Sequence, residues 1–347
     1  MTNGYFHAGK ILSHNALFSF IISNRNYGKT WGFKKRAWVR AKKKHKKTIW
    51  IRRFKKEVKE CSATFFASKD LIQFIGTLVP YNPETKKGNC KQIGNTFYIK
   101  HGKRWEWFLK IMTLSDANAM RSADDVAVDT IIFDEFTTTP ERYRRYRGNE
   151  VGDFCDMFFS AKREHQVYCY FLGNNESVSS PYLTYFGIKP LPMTWEGLRT
   201  YRKGSIALQK INNKPKAKTE YDDKVKNAFM GTAYGDYIYK DTYRTGGKFN
   251  GRKPPKGAVT FVQLNWQGVE ISIKVDGTNY YCTGTVDKTQ PVWCSQNLHK
   301  YANEKLLVKA QKRLFTSFVN ALSDNRVYYD NAATFEAVLP FRQWLGC

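Results

Sequence analysis

The chain has 347 residues, and its 57 lysines and arginines against 30 acidic residues give a formal net charge of +27. A hydrophobic fraction of 42% excludes a chain that is disordered throughout, and the length favours two domains over one. A positive excess on this scale indicates a polyanionic partner, most often a nucleic acid.

The first informative stretch is an apolar run, residues 18–22, that leads through a turn-prone segment into Gly28-Lys29-Thr30. The pattern predicts a strand, a loop and a helix that continues to about His45. Backbone N–H groups of such a loop bind phosphate, and the helix dipole favours the anion. Lys29 would reach the β and γ phosphates of a nucleotide, and the Thr30 hydroxyl would coordinate Mg²⁺. The predicted nucleotide-binding loop consists of Ser23, Asn24, Arg25, Asn26, Tyr27, Gly28, Lys29 and Thr30.

Ser23 occupies the position where the P-loop pattern has its first glycine. Taken alone, the stretch is therefore also compatible with an ordinary strand, turn and helix without a ligand.

The predicted helix becomes strongly basic towards its end and is followed by a short strand, residues 48–51, and by Arg52 and Arg53. Like charges at this density repel one another unless an anion neutralises them. We expect the run to contact nucleic-acid phosphates, with a solvated basic face as the alternative. Arg52 and Arg53 face either the nucleic acid or the nucleotide. The densest part of the run is Lys42, Lys43, Lys44, Lys46 and Lys47.

Further along, residues 96–99 and 105–108 predict a hairpin, and residues 130–136 predict a buried parallel strand that ends in Asp134 and Glu135. Ligands of open α/β sheets bind beyond the carboxyl ends of the strands. Asp134 would hold Mg²⁺ through water, and Glu135 would polarise the attacking water. The alternative is a buried strand that ends in a solvated acidic turn.

Residues 150–163 have apolar side chains at helical spacing and predict a helix that faces the core. Residues 167–172 predict another buried strand, and Asn174 follows its carboxyl end. An asparagine there can hydrogen-bond the γ-phosphate or the lytic water, although it is also a common turn residue.

The last part of the chain changes in character. Residues 197–245 are polar and rich in lysine, and predict a linker with one short helix from Glu220 to Phe229. Residues 246–347 predict three antiparallel strands, a helix from Asn303 to Leu322, a strand at 327–329 and a final helix. This order matches an RNase H-like fold.

The seven cysteines form no C-x-x-C pair, so neither a disulfide framework nor a zinc site is indicated by their spacing. A reducing cytoplasm is the simplest setting for such a chain. The sequence contains no signal-peptide pattern and no apolar run of the ~20 residues that a membrane span needs. We therefore expect no membrane partner.

With these residues in view, the chain resembles the DNA-packaging ATPases of small tailed phages of the phi29 type, which are compact relatives of the large terminases. The resemblance implies an α/β fold: an ASCE-type P-loop ATPase domain with a mainly parallel sheet (residues 1–196), a linker (197–245) and a small, vestigial α+β RNase H-like domain (246–347). The motifs that carry it are Arg25 with Gly28-Lys29-Thr30, Ile51-Arg52-Arg53, residues 132–136, Arg163-Glu164, Asn174 and residues 231–235.

The resemblance also implies partners and an activity. Hydrolysis of ATP with Mg²⁺ would drive double-stranded DNA into a procapsid, with the protein as a homo-oligomeric ring, usually five-fold, docked on the phage portal in the host bacterial cytoplasm. The residues leave open whether a structural packaging RNA takes part. Members of the family supply cationic side chains to a neighbouring subunit's nucleotide, and the matching positions here are Arg121 and Arg163. The alternative is that Arg163 caps its helix and that Arg121 is a surface charge.

Cleavage of DNA is not expected. RNase H-like nucleases need several carboxylates around two metal ions. The predicted strand 259–265 has none, and Asp330 would lack a partner. Two other functions stay open at this point: a large-terminase-like protein that cuts DNA, and a nucleic-acid-binding protein with an inactive nucleotide site.

Overall fold

The structure is a computed structural model that describes residues 6–24, 27–67, 76–116, 128–137, 150–162, 166–175, 180–188, 195–211, 220–231, 251–266, 269–295 and 300–346. Its first elements are α1 (Gly9–Leu12), β1 (Phe18–Ser23), α2 (Lys29–Lys44), β2 (Lys47–Arg52), α3 (Lys55–Thr64), β3 (Cys90–Ile93), β4 (Thr96–His101), β5 (Arg104–Thr113), β6 (Val128–Asp134), α4 (Glu150–Ala161) and β7 (Tyr168–Asn174). Then follow α5 (Pro181–Tyr185), β8 (Gly197–Tyr201), β9 (Ile206–Ile211), α6 (Glu220–Phe229), β10 (Val259–Trp266), β11 (Val269–Asp276), β12 (Asn279–Thr283), β13 (Val292–Cys294), β14 (Glu304–Leu306), α7 (Thr316–Ser323), β15 (Val327–Tyr329) and α8 (Ala332–Leu345).

The chain forms two compact units. The first comprises Met1–Thr137, Gly148–Asn175 and Thr194–Thr242, and the second comprises Thr138–Arg147, Glu176–Met193 and Tyr243–Cys347.

The first unit is built on a nine-stranded sheet in the order β3-β4-β5-β2-β6-β7-β1-β9-β8. Every pairing from β5 to β9 is parallel, and the hairpins at the two edges are antiparallel. Strand β6 is buried at every residue, as expected of a strand inside a parallel sheet. One strand, β7, separates the strand before the loop from the strand with the two carboxylates. The predicted ASCE-type P-loop arrangement with a mainly parallel sheet is thereby confirmed.

Helix α2 begins beside the sheet's carboxyl edge because Gly28, its N-cap, has the left-handed φ of 83° that a glycine tolerates. Its buried face contains Phe33, Ala37, Trp38 and Ala41, a spacing that places them on one side of a helix. The helix ends at Lys44, so its predicted extent to about His45 is confirmed.

Part of the predicted linker is wrong. Strands β8 and β9 lie within residues 197–245 yet belong to the nine-stranded sheet, where β9 pairs with β1 from Phe18 with Ile206 to Ser23 with Ile211. All six residues of β9 are buried, including Gln209 and Lys210. These polar side chains make the strand hard to recognise from hydrophobicity, because a solvated connector has the same composition.

The second unit contains a six-stranded sheet in the order β14-β13-β10-β11-β12-β15. The predicted meander of β10, β11 and β12 is confirmed by its antiparallel pairings. The predicted helix from Asn303 is wrong in its first part: Glu304–Leu306 forms β14 and Lys309–Phe315 a 3-10 helix, so that α7 starts only at Thr316. Strand β14 exists because its backbone pairs with β13, a long-range contact that local spacing does not reveal. The RNase H-like assignment of this unit stays a prediction.

A cluster of phenyl rings fills the core on one face of the first sheet. Phe171 of β7 stacks on Phe20 with ring centroids 4.4 Å apart and also contacts Phe133, Phe136 and Phe154. Phe171 is fully buried. Because these rings lie on β1, β6 and β7 and on helix α4, the cluster fixes the strands whose ends carry the predicted site.

We expect Phe171→Ala to lower the free energy of unfolding by about 3–5 kcal/mol, because it removes a buried ring and leaves a cavity. The matched control is Phe159→Ala, whose ring is 60% exposed and whose loss changes stability by about 0.5 kcal/mol or less. Urea denaturation of both variants measures the difference. Equal stability of the two variants contradicts the placement of Phe171 in the core.

Candidate active site

Lys29 is the centre of the candidate site. It is the first residue of α2, and its ammonium group is almost entirely buried. Its Nζ donates to Ser23 Oγ at 2.7 Å, to the Ser23 and Asn24 carbonyls at 3.3 Å each, and to Asn174 Oδ1 at 3.2 Å. The strand ends at Ser23 and Asn174 thus meet at one lysine, a contact that the sequence analysis did not predict.

Ser23 fits the position where the P-loop pattern has glycine. Its side chain is buried, and its hydroxyl both accepts from Lys29 and donates to the Asn24 carbonyl at 3.0 Å. The serine therefore adds an oxygen ligand for the lysine rather than obstructing the loop.

Thr30 and Asp134 form the second contact of the site. The Thr30 hydroxyl donates to Asp134 Oδ1 at 3.1 Å, so the two predicted Mg²⁺ ligands adjoin each other between the start of α2 and the end of β6. Burial raises the pKa of Asp134 above its ordinary value, as does the neighbouring Glu135, while Arg52 and the Thr30 hydrogen bond oppose the shift. A hydroxyl and a carboxylate are the oxygen donors that Mg²⁺ prefers, so these residues fit the ion.

Arg52 pairs with both carboxylates. Its guanidinium donates to Asp134 Oδ2 at 3.1 Å and to Glu135 Oε2 at 3.0 Å. Burial alone lowers the pKa of Arg52, but Asp134 and Glu135 outweigh it and the pKa is raised. Strand β2, which carries Arg52, lies beside β6 rather than beside β1. Arg52 thus contacts the site through the Asp134 and Glu135 carboxylates, from the side of β6 that lies away from the loop.

Arg53 has a different place from its neighbour. It is buried, and its Nε donates to the buried Glu150 at 3.1 Å. Its terminal nitrogens donate to the backbone carbonyls of Glu135 at 3.0 Å and Phe136 at 2.9 Å. Arg53 therefore faces neither DNA nor nucleotide; it holds the backbone that carries Glu135.

That backbone is unusual, because Glu135 has a φ of 59°, a left-handed conformation that costs a non-glycine residue energy. The contacts of Arg53 hold it in place. As a result the Glu135 carboxylate turns towards Arg52, with 54% of its side chain exposed.

A cavity of about 310 Å³ adjoins these groups. Trp31 and Lys34, which line this cavity, were not predicted from the sequence as site residues. The Lys34 ammonium donates to the Phe65 carbonyl at 2.7 Å, and burial lowers its pKa. The available signal is helical spacing, since Lys34 follows Thr30 by one turn. The cavity is lined by Tyr27, Gly28, Lys29, Thr30, Trp31, Lys34, Asp134, Glu135, Leu172 and Asn174.

Four predicted site residues lie outside the residues that the structure describes: Arg25, Asn26, Arg121 and Arg163. Their roles stay predictions. No helix in the described ranges combines the length and the apolar character of a membrane span.

The chain is similar to known DNA packaging proteins in both sequence and fold. The chain is similar to the DNA packaging protein of Bacillus phage B103, with 26% identity over 273 residues that cover 77% of this chain and 76% of the relative. It is also similar to the DNA packaging protein of Bacillus phage phi29, with 28% identity over 187 residues that cover 54% of this chain and 51%, about half, of the relative.

Among solved structures, the fold is similar to a chain of the bacteriophage Phi-29 viral genome packaging motor assembly, with a TM-score of 0.67 and 20% identity over 99% of this chain and all of the other. A chain of the Phi-28 gp11 DNA packaging motor gives a TM-score of 0.66 with 16% identity over 100% of this chain and 99% of the other. The family model "Podovirus DNA encapsidation protein (Gp16)" matches residues 2–338. A match over nearly the whole chain shows the family: the chain belongs to the podovirus DNA encapsidation proteins.

Proposed function

We propose that the protein is a motor ATPase that couples hydrolysis of ATP to translocation of double-stranded DNA into a procapsid. The observation that carries the proposal is the convergence of two hydrogen-bonded pairs, Lys29 with Asn174 and Thr30 with Asp134, at the carboxyl ends of three parallel strands. Glu135 lines the same cavity. A lysine for phosphate, two oxygen donors for Mg²⁺ and a carboxylate for water are the parts that phosphoryl transfer requires. An inactive nucleotide site would not need the complete set.

Each residue has a role that follows from its contacts. Lys29 would exchange its protein oxygens for the β and γ phosphates of ATP. Thr30 and Asp134 would hold Mg²⁺, whose charge would offset that of the phosphates. Glu135 orients the attacking water; its exposed side chain leaves one oxygen free of the Oε2 contact with Arg52. Asn174 contacts both Lys29 and the cavity, so it is placed to respond to the γ-phosphate.

The basic end of α2 is the proposed DNA contact. Lys42, Lys43, Lys44 and Lys46 are exposed, and Lys47 is half-buried with its ammonium 4.5 Å from the Trp107 ring centroid. Cations near a helix C-terminus are favoured by the helix dipole, which lowers the cost of gathering them. A helix of 16 residues spans about 24 Å, so these charges are too far from Lys29 to serve the nucleotide. Contacts of this type with phosphates do not depend on base sequence.

The second unit is proposed to dock on DNA or on the portal without cutting DNA. Asp330 accepts hydrogen bonds from Gly284 N at 3.4 Å and from Asn331 Nδ2 at 2.8 Å. Within the described part of the chain, no group of three metal-ligating side chains contains Asp330. Both observations support a domain without nuclease activity.

The assembly is likewise a proposal: a homo-oligomeric ring, five-fold as is usual for the family, docked on the portal of a procapsid in the host bacterial cytoplasm. In such a ring Arg121 and Arg163 would be offered to the nucleotide of a neighbouring subunit. A cation that arrives from outside stabilises the charge of the transition state and ties hydrolysis to the neighbour's position.

The first test of the proposed function separates nucleotide binding from ATP hydrolysis. Glu135→Gln is expected to keep the affinity for ATP and to lower kcat by about 10²–10⁴, because a positioned base contributes that much. Lys29→Ala is expected to lose nucleotide affinity itself. Glu84→Gln, at an exposed position outside the site, is the matched control. ATP turnover and binding of a fluorescent nucleotide are measured; turnover by Glu135→Gln at the control's rate means that another group is the base.

A second prediction tests the motor function and the DNA contact. Linear double-stranded DNA is expected to stimulate ATP hydrolysis, and DNA affinity should fall steeply with salt. Replacing the five lysines at and directly after the end of α2 with glutamine should flatten the plot of log affinity against log salt by about 0.9 for each phosphate that the protein no longer neutralises. The replaced residues are Lys42, Lys43, Lys44, Lys46 and Lys47.

The control removes the same charge elsewhere in the first unit, at the exposed Lys10, Lys86, Lys87, Lys103 and Lys203. If both variants have the same slope, the DNA contact lies outside α2. Hydrolysis that never responds to DNA argues against the motor itself.

A third prediction concerns the two arginines. Arg121→Ala or Arg163→Ala protein is mixed with Lys29→Ala protein on procapsids and DNA. A residue that acts in a neighbour's site restores some hydrolysis in mixed rings, where an intact loop meets an intact arginine. A mixture that never exceeds the sum of its parts, while both variants assemble, contradicts a role for that arginine in a neighbour's site.

A further inference from the structure

Two histidines and a glutamate meet in the first unit, away from the residues that line the nucleotide cavity. The rings of His45 and His101 have centroids 3.9 Å apart. Nδ1 of His45 lies 3.0 Å from Oε2 of Glu106. One potential ligand atom from each of the three residues lies within 4.8 Å of the other two. Among the described residues this is the single group of three or more such side chains.

The backbone holds all three residues in fixed positions. His45 is the C-cap of α2, with a left-handed φ of 50° and its N–H bonded to the Ala41 carbonyl at 3.0 Å. His101 ends β4, and Glu106 lies in β5, where it pairs with Ile99 of the same hairpin. The cluster therefore spans two separate pieces of structure: the end of a helix and an edge hairpin of the sheet.

The side chains of His101 and Glu106 have features that suit metal binding. Nε2 of His101 is buried and makes no hydrogen bond to any residue that the structure describes, which is uncommon for a polar atom. Oε2 of Glu106 lies within hydrogen-bond distance of His45, and 43% of the Glu106 side chain is exposed, so the carboxylate is accessible to an ion. Lys47 lies near enough to act on the charge of Glu106, and the lysine charge opposes a second cation.

We propose that His45, His101 and Glu106 form a binding site for a divalent transition-metal ion of the zinc type, with water at the remaining position. Two imidazoles and one carboxylate are a donor set that suits zinc and its neighbours rather than Mg²⁺ or Ca²⁺. Metal–ligand bonds of about 2.0–2.1 Å place tetrahedral ligand atoms about 3.4 Å apart. In the structure the three ligand atoms lie within 4.8 Å of one another. Rotation of the exposed His45 side chain and of the half-buried Glu106 side chain would shorten these distances.

The ion would join the end of α2 to the hairpin. Since it binds only where the three ligands are assembled, it stabilises the folded chain, and the melting temperature rises with metal concentration. The site is separate from the proposed nucleotide site, because none of its ligands lines the nucleotide cavity. His45 lies between Lys44 and Lys46 of the proposed DNA contact.

The test uses the full-length protein after treatment with EDTA and dialysis. Zn²⁺ is titrated by calorimetry, and Co²⁺ is titrated by its visible absorption, which reports tetrahedral nitrogen and oxygen ligation. We expect one ion per chain. His101→Gln and His45→Asn are expected to weaken binding by at least about 100-fold, since loss of even an indirect support of a metal ligand costs 10–100-fold. Asparagine suits the left-handed backbone at position 45.

His14→Ala, at an exposed histidine outside the cluster, is the control for binding to scattered surface imidazoles. Circular dichroism in EDTA shows whether each variant is folded, and Glu106→Gln provides a third variant of nearly unchanged shape. A rise in melting temperature with metal concentration that persists in the control and disappears in the cluster variants supports the site. Equal affinity of the control and all folded cluster variants overturns it, as does the absence of any bound ion in the parental protein.

Discussion

Burial of the Lys29 ammonium group is the constraint on which the nucleotide site depends. A charged amine removed from water destabilises a fold unless other polar atoms replace its hydration. Here the end of β1 supplies three oxygens, from Ser23 and Asn24, and the end of β7 supplies one, from Asn174. The two strands must therefore end at the same level. Their parallel pairing meets this requirement, because it runs in register up to Ser23 opposite Asn174.

The strand order then arranges the other charges around this lysine. Strand β6, with Asp134, is flanked by β7 on one side and by β2 on the other. Thr30 approaches Asp134 from the loop side and Arg52 approaches it from the β2 side. A fully buried carboxylate with a raised pKa thus has a polar partner on each side. Arg52 also contacts Glu135, so any movement of that arginine changes the surroundings of both acidic residues at once.

The centre of the site was predictable because it lies where strands end, and strand ends can be recognised from an apolar run followed by polar residues. Lys29, Asp134 and Asn174 were identified in this way. Strand β9 was not, since two of its buried residues are polar. The different roles of Arg52 and Arg53 depend on which way each side chain turns, and adjacent letters of a sequence do not contain that information. The histidine cluster was missed because His45 and Glu106 are 61 positions apart.

The left-handed backbone at Glu135 has a consequence for how the protein tolerates change. At this position the main chain favours glycine, or the short polar asparagine and aspartate, whereas the proposed chemistry requires the reach of a glutamate. Replacements that relax the backbone would improve folding while removing the carboxylate or, with aspartate, shortening its reach. A screen that selects only for yield or thermal resistance would therefore enrich well-folded, inactive chains at this site, and stability is a poor guide to whether a homologous or engineered chain still turns over nucleotide.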